Sequence, residues 1–468
     1  MSFLEERKAR TREKRLSALS HFHGTLEGLI DEASGTEIKQ KIRTFTQIHE
    51  DEIIYAFRVL SKIKDAVVIV NGAIGCGALG IAEEGRENYR WYSTNLVERD
   101  TILGGDEKLR DAVLRAKEEN RPKAIFILGT PVVAINNDDV HAAILELEEE
   151  VGVPIIEIYT DGFKSKTPLT GYDIVTHSLL RYLVKKENVE EKENFVNVIS
   201  FSESIEDVAA IASIFKDLGI SYQFLPQFST VEQIRNASKA KATVVLNAEE
   251  GRYFAEELEE VFQVPYIVTD SPIGYRGTRS FLLKLAKVLG IEEQAYTYIE
   301  EKEAQLKTNI EQGLLEDKKV FLDFPLAKIG NIANFVDALG GTTVGIGIPE
   351  VDFENREYLQ KLSVVSKGST VIVGNGQYFE KANAIEKLQP DLYISQYADG
   401  ISVTQEGVTV LSTKEIPIYG FCGVSALARQ IEKLDRVEAV QKREEQTSKY
   451  KSTWKKRSGN WYVKQEVR

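Results

Sequence analysis

Short apolar runs rich in β-branched residues recur along the chain at 66–70 (AVVIV), 124–128 (AIFIL), 155–159 (IIEIY), 196–200 (VNVIS), 243–246 (TVVL), 320–324 (VFLDF), 370–373 (TVIV) and 392–395 (LYIS). Each is too short for a helix. Most are too continuously apolar for a strand with one wet face, so the pattern predicts strands covered on both sides. Between them lie longer stretches, such as 107–117 and 138–150, whose apolar positions recur near every 3.6 residues. This alternation, from about residue 65 to 430, predicts βαβ units and parallel sheets, an α/β fold.

Two stretches look like repeats of one unit. NVISFSESIEDVAAIASIFKDLGISYQFLP begins at Asn197 and KVFLDFPLAKIGNIANFVDALGGTTVGIGIP at Lys319. Each reads strand, loop, helix, Leu-Gly stop and strand, with Gly219 and Gly340 where helix C-terminal glycines belong. They mark the first units of a second and a third domain. The charged stretch 185–193 (KKENVEEKE) reads as the first linker and 300–319 as a helical second connection. The expected division is 1–190, an N-terminal extension with domain I; 191–316, domain II; 317–435, domain III; and 436–468, a basic tail. A chain of 468 residues fits about three domains at roughly 150 residues each.

Hydrophobic residues make up 43% and charged residues 28%, so large cores are possible and general disorder is excluded. A net charge of −13 argues against a dedicated nucleic-acid binder, which needs a broad basic field. No apolar run reaches the length of a membrane span. The first 16 residues lack the apolar segment of a secretory signal. Two cysteines, Cys76 and Cys422, cannot make a disulfide scaffold, and a reducing cytoplasm is the expected setting. Residues 441–468 hold nine basic and three acidic residues with two tryptophans. We read them as a tail packing on a partner rather than on nucleic acid or membrane.

The segment NGAIGCGALG, residues 71–80, follows a strand and sets four glycines around one thiol. A cysteine at the carboxyl end of a parallel strand stands where open α/β sheets place their sites. Near backbone amides its thiolate could ligate an iron–sulfur cluster; it could equally be an inert cysteine in a tight turn. Gly75, Gly77 and Gly80 also match GxGxxG, but Glu98 in STNLVERD is a poor candidate for the acidic residue that should end a second strand. No GxxxxGK[ST] loop occurs.

Three further segments narrow the choice: STNLVERDTILGGDEKL at 93–109, GTPVVAINNDDV at 129–140 and DGFKSKTPLTGYD at 161–173. Together with NGAIGCGALG they closely resemble the nitrogenase component 1 family. SPIGYRGTRSFLLKL (271–285) and IPIYGFCGVSALARQI (416–431) resemble later landmarks, so the likeness runs from about residue 40 to 435. The resemblance implies three Rossmann-like domains and pairing with an α-type subunit, usually doubled to a heterotetramer. It also implies electrons delivered by an ATP-hydrolysing iron protein. It makes Cys76, between Gly75 and Gly77, the ligand of an iron–sulfur cluster shared at the subunit interface.

The sequence departs from catalytic members. Their other two interface-cluster cysteines fall near Thr46 and at Thr130 or Pro131. One thiolate per chain suits a shared 4Fe-4S cluster better than an 8Fe-7S one, and resembles the β-type chain of the cofactor scaffold. The cysteine and histidine that hold the large cofactor in catalytic α-type chains fall on Asn247 and Tyr419, and a substrate-site histidine falls near Tyr172 or Asp173. We therefore expect no large metallocluster on this chain, with Asn247 capping a helix and Tyr419 filling the domain interface. The expected function is a subunit of a nitrogenase-like oxidoreductase. The alternatives are a non-catalytic scaffold for metallocofactor maturation and a cluster-free structural relative. Cys422 is expected as a small buried hydrophobe and Asp138 and Asp139 as helix caps. His21, His23 and His49 could form a metal set, but ordinary surface or interface histidines are expected.

Overall fold

The computed structural model describes residues 15, 18–35, 50–75, 90–162, 167–185, 192–309, 313–374, 378–397, 403–404 and 407–435. The chain divides into two compact units. The first comprises Met1–Leu16, Glu50–Ser202 and Ile220–Val268; the second comprises Ser17–His49, Glu203–Gly219 and Thr269–Arg468.

The first unit holds two four-stranded parallel sheets. One runs Trp91–Ser93, Ala66–Asn71, Ala124–Gly129, Ile155–Ile158 in spatial order. Every residue of Ala66–Asn71 is buried, and alternate side chains enter different cores. Val67 and Ile69 join Leu109 and Val113 of the helix Asp106–Asn120 and Ile144 and Leu147 of Val140–Val151. Val68 and Val70 join Phe57 of the helix Glu52–Leu60 and Tyr172, Val175 and Leu179 of Thr170–Tyr182. That core continues into the second sheet, ordered Tyr266–Val268, Ala240–Val245, Glu193–Ser200, Tyr222–Pro226. Two-sided burial explains the runs of apolar residues that announce these strands.

The second unit holds a six-stranded sheet ordered Thr409–Ser412, Leu392–Ser395, Lys319–Asp323, Thr342–Ile348, Thr370–Val373, Phe22–Thr25. The first five strands are parallel; Phe22–Thr25 closes the edge antiparallel to Thr370–Val373. Ala18–Leu19 pairs with Val351–Asp352 in the same unit. The helix ends expected at Gly219 and Gly340 are present, with φ of +66° and +90°. The α/β class with parallel sheets and flanking helices is therefore the one the hydrophobic pattern predicts. Among the described residues no helix is long and apolar enough to cross a membrane.

Candidate functional site

The carboxyl edge of the first sheet is closed by threonines, one after each of three strands. Thr94 Oγ1 accepts from Gly72 N at 2.9 Å and donates to Asn71 Oδ1 at 3.1 Å. Thr130 Oγ1 donates to the Asn71 carbonyl at 2.9 Å, and Thr160 Oγ1 to the Gly129 carbonyl at 2.6 Å. Each hydroxyl satisfies a backbone group of the neighbouring strand end, which no ladder bond would reach. Gly72 has φ +150°, and a Cβ there would lie 1.7 Å from Thr130 Oγ1, so only glycine leaves the strand by this route. Thr130 stands at one of the positions where the resemblance puts a missing cluster cysteine; it is fully buried and ties down the strand that leads to Cys76.

Past Gly72 the chain turns outward. Ile74 is 54% exposed, and a Cβ at Gly75 would meet nothing within 4 Å. Cys76 and Gly77 lie outside the described residues. The described part of the motif thus runs from a fixed sheet edge to an exposed end at Gly75. Among the described residues no three His, Cys, Asp or Glu side chains gather as a metal site needs.

Apolar surface flanks the same edge. Val97, Ile102, Leu103 and Ile135 are each more than half exposed. The helix Glu98–Leu103 buries none of its residues and touches the helix Pro131–Asn136. Such side chains are usually scattered singly over a monomer surface, whereas here several come from two touching helices. Glu98 itself begins this helix, and the preceding strand Trp91–Ser93 ends five residues earlier, which leaves the dinucleotide fingerprint without its acidic strand end.

Glu52 fixes the loop after Ile155–Ile158: its Oε1 accepts from Asp161 N at 2.7 Å and Gly162 N at 3.0 Å. Burial pushes its carboxyl above the usual range. Asp139 caps Val140–Val151 by accepting from Ala142 N at 3.0 Å, as expected, whereas the Asp138 side chain caps nothing among the described residues, and burial raises its carboxyl.

The two positions at which the resemblance loses large-cofactor ligands hold residues with structural tasks. Asn247 is buried and caps the helix Ala248–Phe262, accepting from Glu249 N at 3.0 Å. Tyr419, in the second unit, is fully buried with the Lys328 ammonium 5.2 Å from its ring centre. Asp173 is ion-paired to Arg15. Cys422 departs from expectation. The residue is exposed as a whole, but its sulfur is partly covered: Sγ donates to the Tyr419 carbonyl at 3.4 Å, and loss of water around it pushes the thiol up, against the direction of a helix N-terminus. His23 is buried in the antiparallel edge strand Phe22–Thr25, while His49 and Thr46 lie outside the described residues. The threonine stitching and the Asp173 ion pair escaped sequence reasoning. A threonine one or two residues past three of the strand ends was the only local signal.

The pattern that defines the nitrogenase component 1 type oxidoreductases matches residues 53–434. This chain belongs to that family. It is 30% identical over 350 residues to the nitrogenase iron-molybdenum cofactor biosynthesis protein NifE of Clostridium pasteurianum, covering 72% of this chain and 75% of that one. It is 26% identical over 401 residues to the nitrogenase molybdenum-iron protein alpha chain of Methanothermobacter marburgensis, covering 80% and 84%. The solved structure described as nitrogenase Cp1 at pH 5 superposes with a TM-score of 0.74 at 21% identity, over 93% of this chain and 97% of that one, which speaks to the fold alone.

Proposed function

We propose that this chain is a non-catalytic scaffold subunit on which a nitrogenase-type metallocofactor is matured. The likeness to cofactor biosynthesis proteins supports this over the reductase subunit first expected from sequence. The observation that carries the reading is the occupation of the two large-cofactor positions by a helix cap, Asn247, and a buried phenol, Tyr419. Neither an amide nor a neutral phenol is a good donor for a soft iron site. The similarity to molybdenum-iron protein alpha chains keeps a nitrogenase-like reductase subunit as the second reading.

In the scaffold reading Cys76, set between Gly75 and Gly77, supplies one thiolate to an iron–sulfur cluster, 4Fe-4S rather than 8Fe-7S. An α-type partner supplies the rest, in a heterodimer or heterotetramer. A cubane needs four ligands, and one matched thiolate per chain cannot provide them. Support comes from the open, apolar edge that Asn71–Gly75 enters. An ATP-hydrolysing iron protein is the expected electron donor, residues 436–468 pack on the partner, and the setting is cytoplasmic. In this reading residues 1–190, 191–316 and 317–435 form three domains ahead of the basic tail.

The test is anaerobic co-purification of the tagged chain with its partner, followed by iron quantification and electron paramagnetic resonance. Cys76→Ala should lose most bound iron while the complex and its unfolding midpoint persist. Unchanged iron and an unchanged resonance would contradict the assignment.

A further inference from the structure

We propose that residues 18–33 are an edge guard in the second unit: they occupy a sheet edge that would otherwise pair with the same edge of a second copy of this chain. The edge is the strand Thr370–Val373, reading TVIV, and apart from the guard no described strand borders its outer side. All four residues are β-branched and uncharged, 4% exposed at Thr370 and not at all at the other three. Such a run, with backbone groups unpaired along one side, is a template for another chain. Antiparallel pairing of the run with itself lies on a two-fold axis, so it closes at a dimer. Thr370 then faces Val373 of the second copy and Val371 faces its Ile372, so every cross-strand pair is β-branched.

The guard meets this edge in the same antiparallel sense. Phe22–Thr25 pairs with it residue for residue, from Thr25 opposite Thr370 to Phe22 opposite Val373. Leu26 N then donates to the Ser369 carbonyl at 3.0 Å, and Glu27 Oε1 accepts from Gly368 N at 2.9 Å. The helix Leu26–Ala33 packs beside the edge strand and the helix Glu357–Val365, with Leu26, Leu29 and Ala33 buried. Ala18–Leu19 adds a second antiparallel pairing, with Val351–Asp352. As a strand, FHGT is weak: glycine has little strand preference, and the Phe22 ring covers the gap, its Cζ 2.7 Å from where a Cβ on Gly24 would sit. That weakness suits an outermost strand. It replaces a flat β-branched edge by a short one that turns at once into a helix, capped by Thr25 Oγ1 accepting from Gly28 N at 3.2 Å. A short edge ended by a helix gives a second chain little to pair with. The weak strand still outcompetes a second copy for Thr370–Val373, because its tether to the same chain raises its effective concentration.

The test uses the full-length chain with Leu26→Asp and Leu29→Asp, which put two charges where both leucines have no exposure and so lift the guard. Light scattering should show a mass that doubles relative to the parent as concentration rises. Amide exchange at residues 370–373 should be on the order of a hundredfold faster than in the parent when the variant is dilute, and slow again when it is concentrated. A synthetic peptide of residues 17–35 should reverse the doubling saturably, while the same peptide with Gly24→Pro, which cannot complete the ladder, should not. Should the double variant fail to fold, Leu29→Ala, which only opens the guard more often, should double in mass at higher concentration. A variant that keeps the parent's mass at every concentration, a doubling that leaves 370–373 in fast exchange, or one that the peptide fails to reverse or both peptides reverse equally would overturn the proposal.

Discussion

Lys328 and Glu203 are buried ions held against each other, Nζ to Oε2 at 2.7 Å, with side chains 4% and 1% exposed. Their attraction offsets the loss of water only while both are present. Lys328→Met should therefore cost about 3–5 kcal/mol in urea unfolding, and a second change, Glu203→Leu, should return much of it. Equal losses in the single and double variants would show that packing, not the charge, matters. Asp207 sits in the same unit, accepting from Ile418 N at 2.7 Å and Tyr419 N at 3.0 Å. Burial, opposed by Lys328 and aided by Glu203, pushes its carboxyl from 3.8 up to about 6. The folded state then binds this proton more tightly than the unfolded chain. Its contribution is fully present below pH 3.8 and is lost as pH rises through 6, a span of ~3 kcal/mol at about 1.4 kcal/mol per pKa unit. Asp207→Asn keeps an acceptor for the two amides and removes the charge. The variant should lose that part of the pH dependence between pH 4 and 7, as measured by denaturant unfolding at several pH values. An unaltered pH profile would contradict the assignment.

At the scale of elements, close backbone approach decides where two helices and one strand can lie. A Cβ on Gly171 would sit 2.1 Å from the Glu52 carbonyl oxygen, so the helices Glu52–Leu60 and Thr170–Tyr182 meet at that glycine. Gly171→Ala should force them apart and lower stability by about 1–3 kcal/mol, seen as a lower thermal midpoint. Gly72→Ala meets both a 1.7 Å clash with Thr130 and an unfavourable φ, so it should disturb the strand exit toward Cys76 and reduce bound iron. Iron retained at the parent level would show that the exit is not needed to present the cysteine. How legible each element was follows from its surroundings. Ala66–Asn71 and Ala124–Gly129 are apolar on both faces because helices cover both, and sequence alone announces them. Trp91–Ser93 is three half-buried residues and gives no such signal. Phe22–Thr25, reading FHGT, becomes a strand by pairing with Thr370–Val373, a partner that no local pattern can name. The ion pair of Arg15 with Asp173 is equally invisible, since it joins a terminal segment to a helix far along the chain. The cap at Asn247 was legible through its place before an amphipathic helix, whereas Cys76, singled out by its glycines and their spacing, lies outside the described residues.

At the scale of the molecule, the account requires a second protein at the first sheet's carboxyl edge. Ile102 and Leu103 are 74% and 72% exposed, so the chain's own stability should barely change when either is made polar. Leu103→Asp should leave the unfolding midpoint within about 2 °C while reducing co-purification of the partner or the iron protein several-fold. Full recovery of both proteins with the variant would remove this surface from the interface. The scaffold reading itself is tested most directly by cofactor transfer. The complex, purified without oxygen, is mixed with a catalytic molybdenum-iron protein lacking its cofactor, and substrate reduction is then assayed with and without the complex. The account predicts that the complex alone, supplied with iron protein and ATP, reduces no substrate, and that adding it activates the cofactor-deficient protein in proportion to the metal it gives up. Sustained substrate reduction by the complex alone, with no activation of the cofactor-deficient protein, would contradict it.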